Sequence, residues 1–306
     1  MLRRLGLSPV LAFLLAAFLL PLHAAAEFRE PAAEDAALAR PALWRVKGNA
    51  GEVTILGSIH LLRPDTRWLE GAVAEAAFAA ETLTLEIHKT PETEHRIQQL
   101  TVERGVYRDG GRLDQAIPGE LYAEARNIAA SLGFPEAQFR QFRPWAASLM
   151  IGVGTVLKLG FDPALGVDDT LARKLSARGV PIRGLETAEQ VIDALARHRP
   201  EIQLEMLRQS VRDFTLAEKM LDDLTAAWAT GDEATLDRLL HANVKTVPEF
   251  HHAVMIERNR NWLPQIKQLI ATPGQHLLVV GVGHLVGADS VIEMLRRDGY
   301  EIARIQ

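Results

Sequence analysis

The 306-residue chain contains no cysteine. Disulfides, thiolate catalysis and a lipid-modified cysteine are therefore excluded, and stability has to come from an apolar core. No Gly-x-Ser-x-Gly elbow, His-Glu-x-x-His helix or Walker-type loop occurs in it, which removes the common hydrolase and nucleotide-enzyme signatures. There is no basic stripe, and 34 Lys and Arg face 39 Asp and Glu, so nucleic acid is not expected as a partner. No period of 20–50 residues marks a repeat architecture. The longest unbroken apolar run, residues 10–20, is too short to span a bilayer comfortably.

That run follows Arg3 and Arg4 and precedes Ala24-Ala25-Ala26, the layout of a secretory signal peptide cleaved after Ala26. An uncleaved anchor is the alternative. Cleavage takes the formal charge from −5 to −7 and leaves a chain with no expected membrane span, ample for one large domain or two small ones. A periplasmic or secreted location is expected. Residues 27–41 read as a flexible lead-in and 42–306 as a single domain.

What the chain does contain is one pattern written twice. Val53-Thr54-Ile55-Leu56-Gly57-Ser58-Ile59-His60 is an apolar strand that ends in glycine, with a histidine three residues on. Leu277-Leu278-Val279-Val280-Gly281-Val282-Gly283-His284 repeats it. Composition alone predicts about 0.7 Gly-x-x-His matches, so the spacing by itself is weak. Its context is more telling, because loops at the carboxyl ends of strands are where open α/β sheets bind ligands.

Residues 43–46 and 53–56 read as a hairpin, Asp65 as a helix cap, 68–80 as a helix and 82–87 as a strand ending near Glu86. Strand, helix and strand of this length predict a parallel βαβ unit, with the Glu86 strand beside the His60 strand. Residues 92–150 are expected to form a helical insertion, with helices over 96–104, 118–132 and 135–150. A helix over 169–177 leads to a strand at 180–183 and then to Glu186, and 187–230 are again helical. One long helix is expected over 249–271, kinked or divided at Pro264. The end of the chain repeats the strand–loop–helix–strand plan over 277–305. The fold class is therefore α/β (α+β): two related β-α-β lobes, each carrying a Gly-x-x-His loop, with a large helical insertion between them.

His60 and His284 are candidate metal ligands, and Glu86 is the best third. Imidazole suits zinc, iron, cobalt or manganese, and a carboxylate favours the harder members of that set. Two histidines and one carboxylate leave room for water, as a catalytic ion requires. Glu186 is a fourth ligand, a general base, or an acid stabilised at a helix N-terminus. Arg258 either binds a substrate carboxylate, steadies an oxyanion, or forms a surface ion pair. His88 reads as an exposed strand-end residue, and the adjacent His251 and His252 as surface residues.

Taken in order, several motifs resemble the TraB/PrgY/GumN family, which is related to the TIKI proteases and more distantly to erythromycin esterases and ChaN haem-binding proteins. They are Leu43-Trp44, Gly57-Ser58-Ile59-His60, Glu86, Pro144-Trp145, Gly166-Val167-Asp168, Gly184-Leu185-Glu186-Thr187, Glu257-Arg258-Asn259 with Trp262, and Gly281-Val282-Gly283-His284-Leu285. The resemblance implies a metal-dependent hydrolase, with manganese or cobalt as the ion and metallopeptidase as the activity. His60, Glu86 and His284 would be the metal set, with Glu186, Arg258 and Asn259 as further site residues. His88 departs from the pattern, since relatives often carry an acid there. The substrate, a peptide or a small molecule, does not carry over. The alternative on the same fold is a non-catalytic periplasmic protein that binds haem, a metal or a peptide.

Overall fold

The computed structural model describes residues 37–241 and 247–306. The expected signal peptide lies outside these residues. Among the described residues no helix is long and apolar enough to cross a membrane.

The hairpin forms as expected: β1 (Leu43–Lys47) and β2 (Gly51–Ser58) pair antiparallel, Leu43 opposite Leu56 and Val46 opposite Val53. After β2 the chain makes the short helix α1 (Gly71–Ala79), then β3 (Thr82–Leu85). This helix starts later than the expected 68–80; its cap position is Glu70 and not Asp65. A helical stretch follows: α2 (Pro91–Gly105), α3 (Leu113–Ala116), α4 (Gly119–Ser131), α5 (Glu136–Phe139) and α6 (Pro144–Lys158). The single helix expected over 135–150 is thus two, because Pro144 opens a new one at its first turn, where its missing N–H costs nothing. Next come α7 (Val167–Ser176), β4 (Ile182–Gly184), α8 (Ala188–Ala196), α9 (Pro200–Asp213), α10 (Ala217–Ala229) and α11 (Glu233–His241).

The helix expected over 249–271 is continuous but changes pitch. The turn α12 (Pro248–His251) passes into a π-helical stretch, His252–Glu257, and then into α13 (Arg258–Ala271). Pro264 neither divides α13 nor ends it. Pro264 and Arg260, four residues before it, are both exposed, so the carbonyl that proline leaves unpaired faces water. The chain closes with β5 (Gly274–Gly281), α14 (Val291–Arg297) and β6 (Ile302–Arg304).

The strands form one six-stranded mixed sheet in the order β4-β3-β5-β2-β1-β6. The two strand–loop–histidine copies are neighbours: β2 and β5 run parallel in register from Gly51 opposite Gly274 to Ser58 opposite Gly281. The expectation that the Glu86 strand sits beside the His60 strand is corrected here. β5 lies between them, and β3 pairs with β5, Leu85 opposite Val279. β4 joins the far side of β3, Leu85 opposite Gly184.

Alternation along β5 sorts the core into two layers. Leu277 and Val279 face one cluster, packed with α1, α2, α6, α7, α8, α10 and α11. Leu278 and Val280 face the other, with Trp262, Ile266 and Ile270 of α13 and Val291, Ile292 and Leu295 of α14. Both faces of the sheet are therefore covered, which accounts for strands that read as continuous apolar runs. A third cluster gathers α3, α4 and α5 against α6 and α9, so most of the helical insertion carries its own core.

Candidate metal centre

The carboxyl ends of β2, β3, β4 and β5 meet at one edge of the sheet. The parallel registers then bring His60, Glu86, Glu186 and His284 together. Two close approaches make this possible. A Cβ on Gly57 would stand 2.8 Å from Val282 Cγ2, so glycine there lets the second histidine loop lie against β2. A Cβ on Gly166 would overlap the carbonyl oxygen of His60, so glycine there lets the start of α7 press onto the first loop, where Val167 N–H donates to Ile59 O at 3.0 Å. Trp228 on α10 ties down the same loop, its Nε1–H donating to Gly57 O at 2.9 Å.

Pressing α7 onto the His60 loop delivers Asp168. Its Oδ2 lies 2.5 Å from His60 Nδ1, and its Oδ1 accepts from Ser58 Oγ at 3.1 Å. A proton on Nδ1 leaves His60 Nε2 as a lone pair, and that buried atom has no hydrogen-bond partner. His284 is fixed in the same sense. Asn259 Nδ2 donates to Asp289 O at 2.8 Å, so its Oδ1 is the acceptor 2.6 Å from His284 Nδ1. The lone pair of His284 is therefore also at Nε2. Trp262 packs on the ring, centroids 4.4 Å apart.

Both Nε2 atoms stand 3.8 Å from the same carboxylate oxygen, Glu86 Oε1. Glu86 is held in turn: Oε1 accepts from Gly281 N–H at 2.6 Å and Oε2 from Arg258 Nη2 at 2.7 Å. Arg258 also donates from Nε and Nη2 to Glu186, at distances from 2.7 to 3.1 Å, and its Nη1 lies 3.3 Å from His284 Nε2. It follows directly on the π-helical stretch, a feature frequent at functional sites. His60, Glu86, Asp168, Arg258, Asn259 and His284 are all buried.

These contacts shift the titrations. Burial alone would lower the pKa of His60, but the charge and hydrogen bond of Asp168, with Glu86, carry it above its ordinary value. Burial raises the Glu86 carboxyl, against the opposing pull of Arg258 and His60. Burial would raise Asp168 too, but His60, Lys89 and Ser58 hold it below the usual range. Burial and the neighbouring Arg258 push His284 well below its ordinary value, so it is neutral at physiological pH. Burial works against the charge on Arg258, yet Glu186 and Glu86 raise its pKa and keep it protonated.

The donor types, two imidazoles and a carboxylate, are ones that a divalent ion takes. Each imidazole Nε2 stands near the same carboxylate oxygen, that of His284 also beside Arg258 Nη1, and each imidazole has its far nitrogen fixed by an oxygen, the arrangement that orients histidine ligands. Glu86, Glu186 and Asp168 carry three negative charges against one positive charge on Arg258, so with neutral imidazoles the site has an excess of two. Atoms bound about 2.0–2.2 Å from one ion stand roughly 3.0–3.6 Å apart. The 3.8 Å separations would have to shorten slightly, and among the described residues no three such side chains are already gathered as ligands.

The structure brings His60, Glu86, Glu186, Arg258, Asn259 and His284 into one connected cluster. Arg258 is neither a surface ion pair nor a free cation, but the shared partner of both glutamates. Asn259 acts on His284 and does not itself face the donors. Asp168 and Ser58 are the residues that sequence reasoning did not assign to the site, although both stand in quoted motifs. His88 is not on a strand, since β3 ends at Leu85. His251 is not a surface residue: it is half-buried against His241, with ring centroids 5.3 Å apart, whereas His252 is exposed.

The fold and site define a class: a mixed α/β protein with two strand-end histidines and a strand-end glutamate gathered beneath a buried arginine. The chain belongs to the TraB/PrgY/gumN family, whose model matches residues 42–304. It is similar to the "Uncharacterized protein YbaP" of Escherichia coli (strain K12), at 22% identity over 184 residues, 60% of this chain and 68% of that one. The protein of the same name from Shigella flexneri is similar to the same extent. No solved structure matches.

Proposed function

We propose that the protein is an exported metal-dependent hydrolase, with peptide bonds as the substrate class suggested by its resemblance to the TIKI proteases. The observation that carries the reading is the pair of imidazole Nε2 atoms, each 3.8 Å from Glu86 Oε1 and each with its Nδ1 already committed. His60, Glu86 and His284 would hold the ion. A bound divalent ion supplies Lewis acidity and lowers the pKa of water. Manganese or cobalt follows from the family resemblance, and zinc or iron is equally compatible with the donors.

The chain's own residues do the rest. Asp168 and Asn259 keep both histidines in the tautomer whose lone pair points inward. Arg258 holds Glu86 and Glu186 in place, and its guanidinium charge would steady negative charge developing on a substrate oxygen near His284 Nε2. Of the two carboxylates Glu86 faces the donors, as a ligand to the ion would. Glu186 gives both oxygens to Arg258 and is a partner of that cation more than a base.

The test is elemental analysis of the chain from residue 27, purified without chelator or affinity metal, beside His60→Ala and His284→Ala. One equivalent of manganese, cobalt, zinc or iron lost in both variants is expected, followed by peptide hydrolysis that Glu86→Ala abolishes. An unchanged metal content in folded variants, or turnover that survives Glu86→Ala, overturns the reading.

A further inference from the structure

Behind Asn259 and Gly283, on the Nδ1 side of His284, the structure has a cleft of about 250 Å³. Three elements bring polar side chains to its wall: α11 with Asp237 and His241, α12 with His251, and the loop between β5 and α14 with Asp289. His241 Nδ1 lies 2.7 Å from Asp237 Oδ1, so a proton on Nδ1 leaves its Nε2 as a lone pair. His251 Nε2 is buried and has no hydrogen-bond partner. The two rings stand edge to face, 5.3 Å apart with planes at 85°. Asp289 is exposed, and among the described residues its carboxylate makes no hydrogen bond or ion pair.

The loop is built to approach this closely. Gly287 adopts φ +84°, a conformation that disfavours other residues, and a Cβ there would overlap Asp237 Oδ1 and stand 3.1 Å from His241 Nδ1. An orphaned buried imidazole nitrogen costs free energy unless something meets it. A second imidazole backed by a carboxylate, with a free carboxylate across the cleft, is the donor chemistry of a borderline transition-metal ion. The aspartate behind His241 is the usual second partner of a ligating histidine.

We propose that this cleft is a binding site for a divalent ion of the zinc class, with His241 Nε2, His251 Nε2 and the Asp289 carboxylate as its protein donors. Among the described residues no three such side chains are already gathered as ligands, so binding draws these three inward from where they stand, and water completes the coordination. The site is separate from the one at Glu86 and does not depend on that reading, but it is wired to it. The Asp289 carbonyl accepts from Asn259 Nδ2, and Asn259 Oδ1 meets His284 Nδ1. An ion that moves Asp289 therefore moves the residue that orients His284.

The experiment is zinc titration of the full chain against a chromophoric chelator, for the wild type and for His241→Asn, His251→Asn, Asp289→Asn and His252→Asn. His241→Asn and His251→Asn are expected to lose one equivalent each, Asp289→Asn to weaken that equivalent about tenfold or more, and His252→Asn to match the wild type. The loss is additional to any equivalent removed by His60→Ala, so failure of one site does not imitate failure of the other. Asparagine keeps size and polarity, and far-UV circular dichroism with a thermal melt in chelator confirms that each chain is folded. Equal zinc content in the wild type and in folded His241→Asn and His251→Asn overturns the proposal, as does an equal loss in His252→Asn.

Discussion

Replacing Asp168 with asparagine tests the inward-pointing tautomer of His60 with almost no change in shape. In the wild type Ser58 Oγ donates to Oδ1, and Oδ2 accepts from His60 Nδ1. With Ser58 still donating, the amide oxygen of asparagine keeps the Oδ1 place and its NH2 falls opposite Nδ1. That NH2 donates, so Nδ1 becomes the acceptor and the ring proton moves to Nε2, which removes the lone pair facing Glu86. Loss of an outer partner of a ligating histidine typically costs 10–100-fold in metal affinity, about 1.4–2.8 kcal/mol. Asp168→Asn should therefore bind cobalt or zinc about 10–100-fold more weakly at the Glu86 site, read by chelator competition. His60→Ala, which removes the ligand, should lose that site. A companion sharpens the result. In Ser58→Ala/Asp168→Asn the amide is free to turn its oxygen toward Nδ1, so part of the affinity should return. An Asp168→Asn chain with affinity within about twofold of the wild type and an unchanged melting temperature would refute the assignment of Asp168 as the residue that sets the His60 tautomer.

Three further outcomes are expected. Gly57→Ala places a methyl group 2.8 Å from Val282 Cγ2 and should destabilise the fold by about 1–3 kcal/mol, read from the midpoint of urea unfolding; an unchanged midpoint would mean the histidine loops do not pack as described. Trp228→Phe leaves the Gly57 carbonyl buried without its donor and should cost about 1–3 kcal/mol in the same assay, while a loss under about 0.5 kcal/mol would show that the carbonyl finds another partner. Burial, helped by the nearby His241, lowers the pKa of His251 to about 4, so in chelator the unfolded chain binds the extra proton between about 4 and 6.5. The stability contribution of this neutral histidine is full above 6.5 and is lost as pH falls toward 4, and a His251→Asn chain should show a flatter fall across that window. Parallel profiles for the two chains would refute the shift.

Most of the strands were legible because each announces itself locally, as a short run rich in β-branched and aliphatic residues, in β2, β4 and β5 ending at or beside a glycine. Their order was not. Placing β5 between β2 and β3 depends on pairing across about 200 residues, and nothing in residues 82–87 says which strand will lie beside them. His60, Glu86 and His284 were legible because a repeated strand-end motif has few local explanations. Asp168 was not, because an acid in the first turn of a helix already has one, the helix dipole; only its contact with a histidine 108 residues away reveals the second. His251 was misread for a similar reason: adjacent histidines on a helix point apart, but that rule does not say which of the two turns inward. The π-helical stretch leaves the apolar spacing of residues 249–271 nearly intact, so no periodicity could have separated it from an ordinary helix.

The energetics of the site argue that it is kept for a purpose other than stability. Glu86, Arg258 and Asp168 are charged groups removed from water, and a buried ion pair of this kind is often no more stabilising than apolar residues of the same volume. One position before Glu86, by contrast, Leu85 ends β3 inside an apolar layer. The charges are moreover unequal, three carboxylates against one guanidinium, and the shifts at His60 and Glu86 both run toward taking up protons. A cation entering between the imidazoles would displace those protons, which makes its affinity rise with pH. Structural ion pairs tend toward neutrality. With both imidazoles neutral the site keeps a buried excess of negative charge, which a bound cation would offset.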